Sequence, residues 1–378
     1  MQAISARCGG LATSGLRQSN APRTNPQQAR LTGLSPGILR RREQVTRKPR
    51  ATMKTAAAAA VEAPTVLFDF DGTLGDTETP AMEVAYWELV PYFANIKVSD
   101  INEETMRDFI RESAGKAFEF MVDKCNEDRI AAGLPPLEET RASKTEDPEI
   151  LAVVDGYRKK FGLKTFAEMR ASGGEEPEDF LVQQKDDTVL ALETLAEACP
   201  GVKNTLEWLT SSGYKFAIAT TSGKPRVPVS VIASGLDTWF SPDKIHSGES
   251  DFDPPRFKPD PSVYLLAAKS ENSDIAHCIA VEDSASGVGS AANAGVGMIV
   301  GYVGASHIAE EVVDSHSKML MAGEKADSGI GADLVISDMN DLPTLVSFFA
   351  ELERPVTRPV QIPEEILKAL KGRYWLRD

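Results

Sequence analysis

Cysteine is scarce in this chain of 378 residues, which carries four. Only Cys125, Cys199 and Cys278 fall beyond the first 60 residues, and they are far apart. Such spacing matches neither a zinc pattern nor a disulfide framework; it fits a reducing compartment, with each thiol a small core hydrophobe. Long apolar runs are missing too, so no stretch has the length to span a bilayer. Acids are nearly absent from residues 1–60, where eleven Arg and Lys stand against Glu43 alone, a net +10. The whole chain carries −15, which leaves −25 on the remainder. A body this acidic argues against nucleic acid as a partner, because phosphate backbones need basic grooves. Strand patterns are lacking from Thr79 to Ala198, and no internal repeat occurs.

The basic leader, with its Arg, Ser, Thr, Ala and Gly and no apolar core of secretory type, reads as an organelle transit segment. Scattered Pro, Ser and Thr, without a clean amphipathic helix, favour a chloroplast over a mitochondrion. The alternative is a basic arm that binds nucleic acid or membrane. Ala56–Ala60 reads as a linker. Beyond it, 42% hydrophobic and 7% aromatic content are those of an ordinary globular protein.

The most informative stretch is VLFDFDGTLGDTE, Val66 to Glu78. Its apolar start reads as a short buried strand that ends at a glycine turn. Asp69 and Asp71 follow at the carboxyl end, where open α/β sheets place their ligands. Two neighbouring carboxylates repel one another, and a hard divalent cation such as Mg²⁺ relieves the repulsion.

Helical spacing then runs through Pro80–Tyr92, 103–131, Ile150–Met169 and Thr188–Glu197, with loops at Gly133–Pro148 and Ala171–Asp187. From Pro200 helices and strands alternate: strands at Tyr214–Thr221, Lys244–Ser247, Cys278–Glu282, Val296–Val303 and Leu334–Ser337, with helices between them. This pattern predicts an α/β fold, a doubly wound parallel sheet of Rossmann type with right-handed crossovers, carrying an all-helical insertion. The expected boundaries are 61–78 and 199–353 for the core, 79–198 for the insertion, and 354–378 for a tail with a helix over Glu364–Tyr374.

Polar residues recur at the strand ends of this sheet: Thr220 after the second, Lys258 in KPDP, and Glu282 with Asp283 in VEDSASG. Singly, each has an ordinary explanation as a cap, a solvated lysine or a helix start. In order and together they resemble the haloacid dehalogenase superfamily, in the subgroup with a helical cap after the first strand. The resemblance rests on Asp69-Phe70-Asp71-Gly72-Thr73, Thr220, Lys258 and the pair Glu282-Asp283, and spans Val66–Val303.

That resemblance implies a Mg²⁺-dependent phosphatase. Asp69 becomes the nucleophile that forms an aspartyl-phosphate, and Asp71 the general acid and base. Asp69, the carbonyl of Asp71, Asp283 and Glu282 hold the metal. Thr220, with the amides of Thr221 and Ser222, binds the phosphoryl oxygens, and Lys258 offsets charge. Arg111 and Lys116 in the cap, with Lys224, are candidate substrate contacts; Arg226 and Arg256 are further cations within reach of a second anionic group. The acid at position 71 favours an ester over the halides and phosphonates of relatives that lack it. The expected partner is a small phosphorylated metabolite, a sugar phosphate above all, with neither nucleic acid nor membrane. A sugar phosphomutase of the β-phosphoglucomutase type and a non-catalytic scaffold stay open as alternatives. Ala114, where phosphomutase relatives carry arginine, weakens the former.

Overall fold

The computed structural model describes residues 63–113, 118–171 and 176–377. The leader, the linker and Lys116 lie outside them. Among the described residues nine strands are formed: β1 (Thr65–Phe68), β2 (Gly75–Asp76), β3 (Glu197–Ala198), β4 (Lys215–Thr220), β5 (Ile245–Ser247), β6 (Cys278–Glu282), β7 (Met298–Tyr302), β8 (Leu334–Ile336) and β9 (Tyr374–Leu376). Seven build one sheet in the order β5-β4-β1-β6-β7-β8-β9. All pairs are parallel except β8 with β9. β1 lies between β4 and β6, and all four of its residues are fully buried. That explains its unbroken apolar run, since a strand covered on both faces has no polar side.

The sheet carries apolar clusters on both faces. One gathers Val66, Phe68, Phe216 and Ile218 with Leu206 and Phe349. The other gathers Leu67, Ala217, Ala280 and Ile299 with Tyr264 and Leu320. These are the alternate residues of each strand, sorted by the pleat. The doubly wound expectation is met, with one correction: the sheet is mixed, because β9 runs antiparallel.

Seven helices lie between β2 and β3: α1 (Glu78–Leu89), α2 (Glu103–Ser113), α3 (Phe118–Ala131), α4 (Leu137–Ser143), α5 (Pro148–Lys160), α6 (Phe166–Met169) and α7 (Phe180–Leu195). They build apolar clusters of their own around Tyr86, Trp87 and Phe166, and around Tyr92, Met121 and Phe180. The chain leaves and re-enters the sheet through β2 and β3, paired Gly75↔Ala198 and Asp76↔Glu197. Glu197–Ala198 was expected to be helical or loop.

Other boundaries also move, for local reasons. α4 forms inside the expected loop, where Leu137 is fully buried and its N–H donates to Asn126 Oδ1 at 2.8 Å. The helix expected over Ile150–Met169 breaks at Gly162, whose φ of +73° ends α5. A reciprocal cap between Thr165 and Glu168 then starts α6. α7 begins earlier than expected, because the Asp179 carboxylate accepts the N–H groups of Leu181 and Val182.

The remaining helices are α8 (Val202–Ser211), α9 (Arg226–Ala233), α10 (Ser262–Ser270), α11 (Ala285–Ala294), α12 (Val313–Ala322), α13 (Leu342–Glu351) and α14 (Glu364–Ala369). The tail helix stops at Ala369 instead of reaching Tyr374. The Asp341 carboxylate accepts the N–H groups of Lys371 and Gly372, both at 2.8 Å, and the chain turns off the helix into β9. Val360 of the tail is buried in the sheet cluster, Ile366 and Leu370 pack against it, and Leu367 is buried as well. Among the described residues no helix is long and apolar enough to cross a membrane.

Candidate active site

The register of β1 sets the site. Thr65 pairs with Cys278 and Phe68 with Val281, and the N–H of Asp69 donates to the Val281 carbonyl at 3.0 Å. Pairing carried one residue past β1 therefore places Asp69 beside Glu282 and Asp283. Carboxylate oxygens of Asp69, Glu282 and Asp283 lie within 4.8 Å of one another, and all three residues are buried.

The loop after Asp69 is closed by backbone bonds. The N–H groups of Leu74 and Gly75 donate to the Phe70 carbonyl, and that of Gly72 donates to the Gly75 carbonyl. Gly72 sits at φ +78°, and a Cβ there would run into Asp283 Oδ2 and the His307 ring. Only glycine fits both the left-handed backbone and this close approach.

One cation stands inside the acid cluster. Lys258 Nζ lies 2.5 Å from Asp69 Oδ1 and 2.5 Å from Glu282 Oε1. The Tyr264 hydroxyl donates to the same Glu282 oxygen at 2.5 Å. Glu282 thus spends one oxygen on holding the lysine. Burial lowers the Lys258 ammonium, but Asp69 and Glu282 outweigh it and hold it above the usual lysine range. Burial pushes the Asp69 carboxyl well above the usual range; Lys258 opposes this, and Glu282 and Asp283 add to it. Three buried acids against one ammonium leave negative charge uncompensated. An all-oxygen donor set of this kind fits a hard divalent cation, with Asp69 and Asp283 free of a second strong donor.

Asp71 is turned to other partners. Its Oδ1 accepts from Thr77 Oγ1 at 2.6 Å and Arg226 Nη2 at 2.9 Å, and its Oδ2 accepts from Ser222 Oγ at 2.5 Å. Burial raises its carboxyl, but the Arg226 charge and the bonds from Ser222 and Thr77 prevail and hold it below the usual range. Arg226 also faces Glu78, the first residue of α1, at 3.7 Å.

Thr220 ends β4, buried, and its Oγ1 accepts the N–H of Ser222 at 3.1 Å. Ser222 therefore reaches the site through its hydroxyl, on Asp71, while its amide closes the local turn. Thr221 lies between the two, half-buried. Asp283 has two imidazole neighbours: His307 Nε2 lies 3.3 Å from its Oδ2, and His316 Nε2 lies 2.6 Å from its main-chain oxygen.

The remaining expected contacts among the described residues are paired with acids. Arg111 pairs with Asp108 on α2, exposed, at 2.8 Å. Lys224 pairs with Asp251 at 2.8 Å, Arg226 with Asp71, and Arg256 with Asp260 at 3.5 Å. Sequence reasoning missed Thr77, Tyr264, His307 and His316. The only signal for Tyr264 was its place just after KPDP; the two histidines carried none.

Comparison with known proteins bears on the family and the fold. The family model of haloacid dehalogenase-like hydrolases matches residues 63–295 and ends before His307. A CBBY-like protein of Arabidopsis thaliana is 35% identical over 122 residues, covering 32% of this chain and 37% of that protein. A phosphorylated carbohydrates phosphatase of Thermotoga maritima is 28% identical over 130 residues, covering 33% of this chain and 56% of that one. These matches span between a third and somewhat over half of the curated relatives. Among solved structures, a haloacid dehalogenase-like protein of unknown function from Agrobacterium tumefaciens superposes with a TM-score of 0.51. It is 23% identical, and the match covers 77% of this chain and all of that one, a likeness of fold.

Proposed function

The chain belongs to the haloacid dehalogenase-like hydrolase family, and from that premise we propose that it is a magnesium-dependent phosphatase of a small phosphorylated metabolite, a sugar phosphate above all. One observation carries the reading: Asp69, Glu282 and Asp283, far apart in the chain, bring carboxylate oxygens within 4.8 Å around a position flanked by Lys258. Asp69, Asp283 and the Asp71 carbonyl hold the metal, with Glu282 as the remaining acid of the set. Bound Mg²⁺ supplies positive charge against the phosphoryl oxygens.

Asp69 attacks phosphorus as the ester P–O bond breaks, and Asp71 gives its proton to the departing alkoxide. A water then attacks the aspartyl-phosphate and yields its proton to Asp71, which frees inorganic phosphate and restores the Asp69 carboxylate. Lys258 offsets charge on nucleophile and phosphoryl group, while the Thr220 hydroxyl and the Thr221 amide orient the latter and Ser222 holds Asp71. Asp71 rests as a charged acceptor of Arg226, Thr77 and Ser222, so acid duty in the first step requires it to leave Arg226 and take up a proton from solvent. The helices α1–α7 act as the cap. Substrate anions there compete with Asp108 for Arg111 and with Asp251 for Lys224.

The sugar part of the proposal is supported by the Thermotoga relative, named for phosphorylated carbohydrates. Residues 1–60 act as a plastid-targeting segment, and fused to a fluorescent protein they are expected in chloroplasts. The main test is a panel of sugar phosphates, phosphoglycolate and nucleotides with Mg²⁺. Inorganic phosphate is expected from at least one sugar phosphate, and Asp69→Asn abolishes its release while the melting temperature is kept. A shuffled isomer in place of free phosphate overturns hydrolysis in favour of a mutase. Silence across the whole panel overturns catalysis.

A further inference from the structure

The chain contains four histidines, and two of them converge on one residue. His316 of α12 meets the main-chain oxygen of Asp283 at 2.6 Å. A carbonyl only accepts, so the ring carries its proton on Nε2. His307 meets the Oδ2 of the same residue at 3.3 Å from the loop after β7. Asp283 stands just past the end of β6, where strand pairing no longer fixes the chain, yet it supplies one oxygen of the acid cluster. We infer that His307 and His316 are positioning residues for Asp283, one gripping its carboxylate and the other the backbone from which that carboxylate projects. The inference rests on the reading of the cluster as a cation site. Outer hydrogen bonds that orient a ligating carboxylate tune metal affinity, and losing one typically costs about 10–100-fold.

The C-terminal strand extends this hold. Asp314, two residues before His316, accepts from Arg373 Nη2 at 2.8 Å and from Trp375 Nε1 at 3.0 Å. Arg373 also pairs with Glu310, just before α12. β9 is itself fixed by pairing Trp375 with Val335 of β8. The route therefore runs from the last strand to α12, from α12 to the Asp283 carbonyl, and from there to the acid cluster. The helix that carries His316 is pinned from outside, and the residue it holds faces the centre.

The test reads metal binding without turnover. Mg²⁺ is titrated calorimetrically into the full chain, in His316→Phe, which keeps a ring but no donor, and in His316→Gln, which restores an N–H near the same place. His316→Phe is expected to bind Mg²⁺ about 10–100-fold more weakly, and His316→Gln to recover most of the loss. Equal affinity in His316→Phe and wild type overturns the inference. Should His316→Phe fail to fold, Asp314→Asn at an exposed position keeps the question open to measurement. Its affinity is expected to fall roughly twofold to fivefold, the scale of an exposed ion pair, and no change there overturns the part given to the tail. A wild-type chain that binds Mg²⁺ but releases no phosphate overturns the proposed function alone. One that binds none overturns the cation site and this inference with it.

Discussion

Tyr264 sits in the first turn of α10, and its hydroxyl shares Glu282 Oε1 with Lys258. Removing that hydroxyl leaves a buried carboxylate one donor short. Tyr264→Phe is therefore expected to cost about 1.5–3 kcal/mol, the range for hydrogen bonds to charged groups, measured by urea unfolding. The kcat for phosphate release should fall with it, because Glu282 and hence Lys258 are held less firmly. At this scale the sequence was partly legible. Asp69, Asp71, Glu282 and Asp283 stand out because each ends or follows an apolar strand, and the sheet gathers such ends along one edge; Lys258 stands out through KPDP, ahead of a helix. Thr77, Tyr264, His307 and His316 do not. Each reaches the site by the direction of a side chain from a helix or loop, and no spacing rule encodes that. The cations read as free for substrate, Lys224 and Arg226, are taken by acids whose proximity only folding creates.

Among the elements, α1, α5 and α7 share a buried polar knot. Arg158 of α5 bonds Glu88 of α1 and, at 2.8 Å, Asp187 of α7, while Gln183 Nε2 donates to Glu88 Oε2 at 2.6 Å. Two acids face one guanidinium. Burial first, then Asp187, raises Glu88 from 4.5 to about 8 against the pull of Arg158. The folded chain thus keeps a proton that the unfolded chain has lost throughout that interval. Stability from this group is greatest below pH 4.5 and declines toward pH 8. Melting temperatures of wild type and Glu88→Gln, compared across that range, are expected to diverge: the wild type loses ground as pH rises, then runs parallel above it. Element boundaries in this helical region were the least legible part of the sequence. Gly162 and the Asp179 cap are readable in hindsight as stop and start signals. The buried Leu137 inside a polar stretch gave no periodic pattern from which α4 could be drawn.

For the whole molecule, the tail is structural. Asp333, buried, accepts from Arg358 Nε at 3.0 Å, from the N–H of Val360 at 3.0 Å and from that of Ile299 at 2.7 Å. Ending the chain at Leu352 strips two of these donors and removes β9 together with the buried Val360 and Leu367. The two apolar side chains alone contribute about 3–6 kcal/mol, so the shortened chain is expected to unfold at markedly lower urea concentration, if it folds at all. The α/β architecture was legible from alternation of period 2 and period 3.6. The antiparallel edge was not, because three residues of half-exposed strand offer too short a pattern.

β1 has its neighbours late in the chain: Thr65 is paired with Lys215 on one side and Cys278 on the other. During synthesis on the ribosome, a polypeptide halted before Lys215 has Asp69 already out of the tunnel but no flank for the strand that carries it. The acid cluster accordingly cannot be complete until the segment around Asp283 has emerged. On the proposed reading, a chain cut short before Asp283 lacks the acid cluster and is expected to release no phosphate.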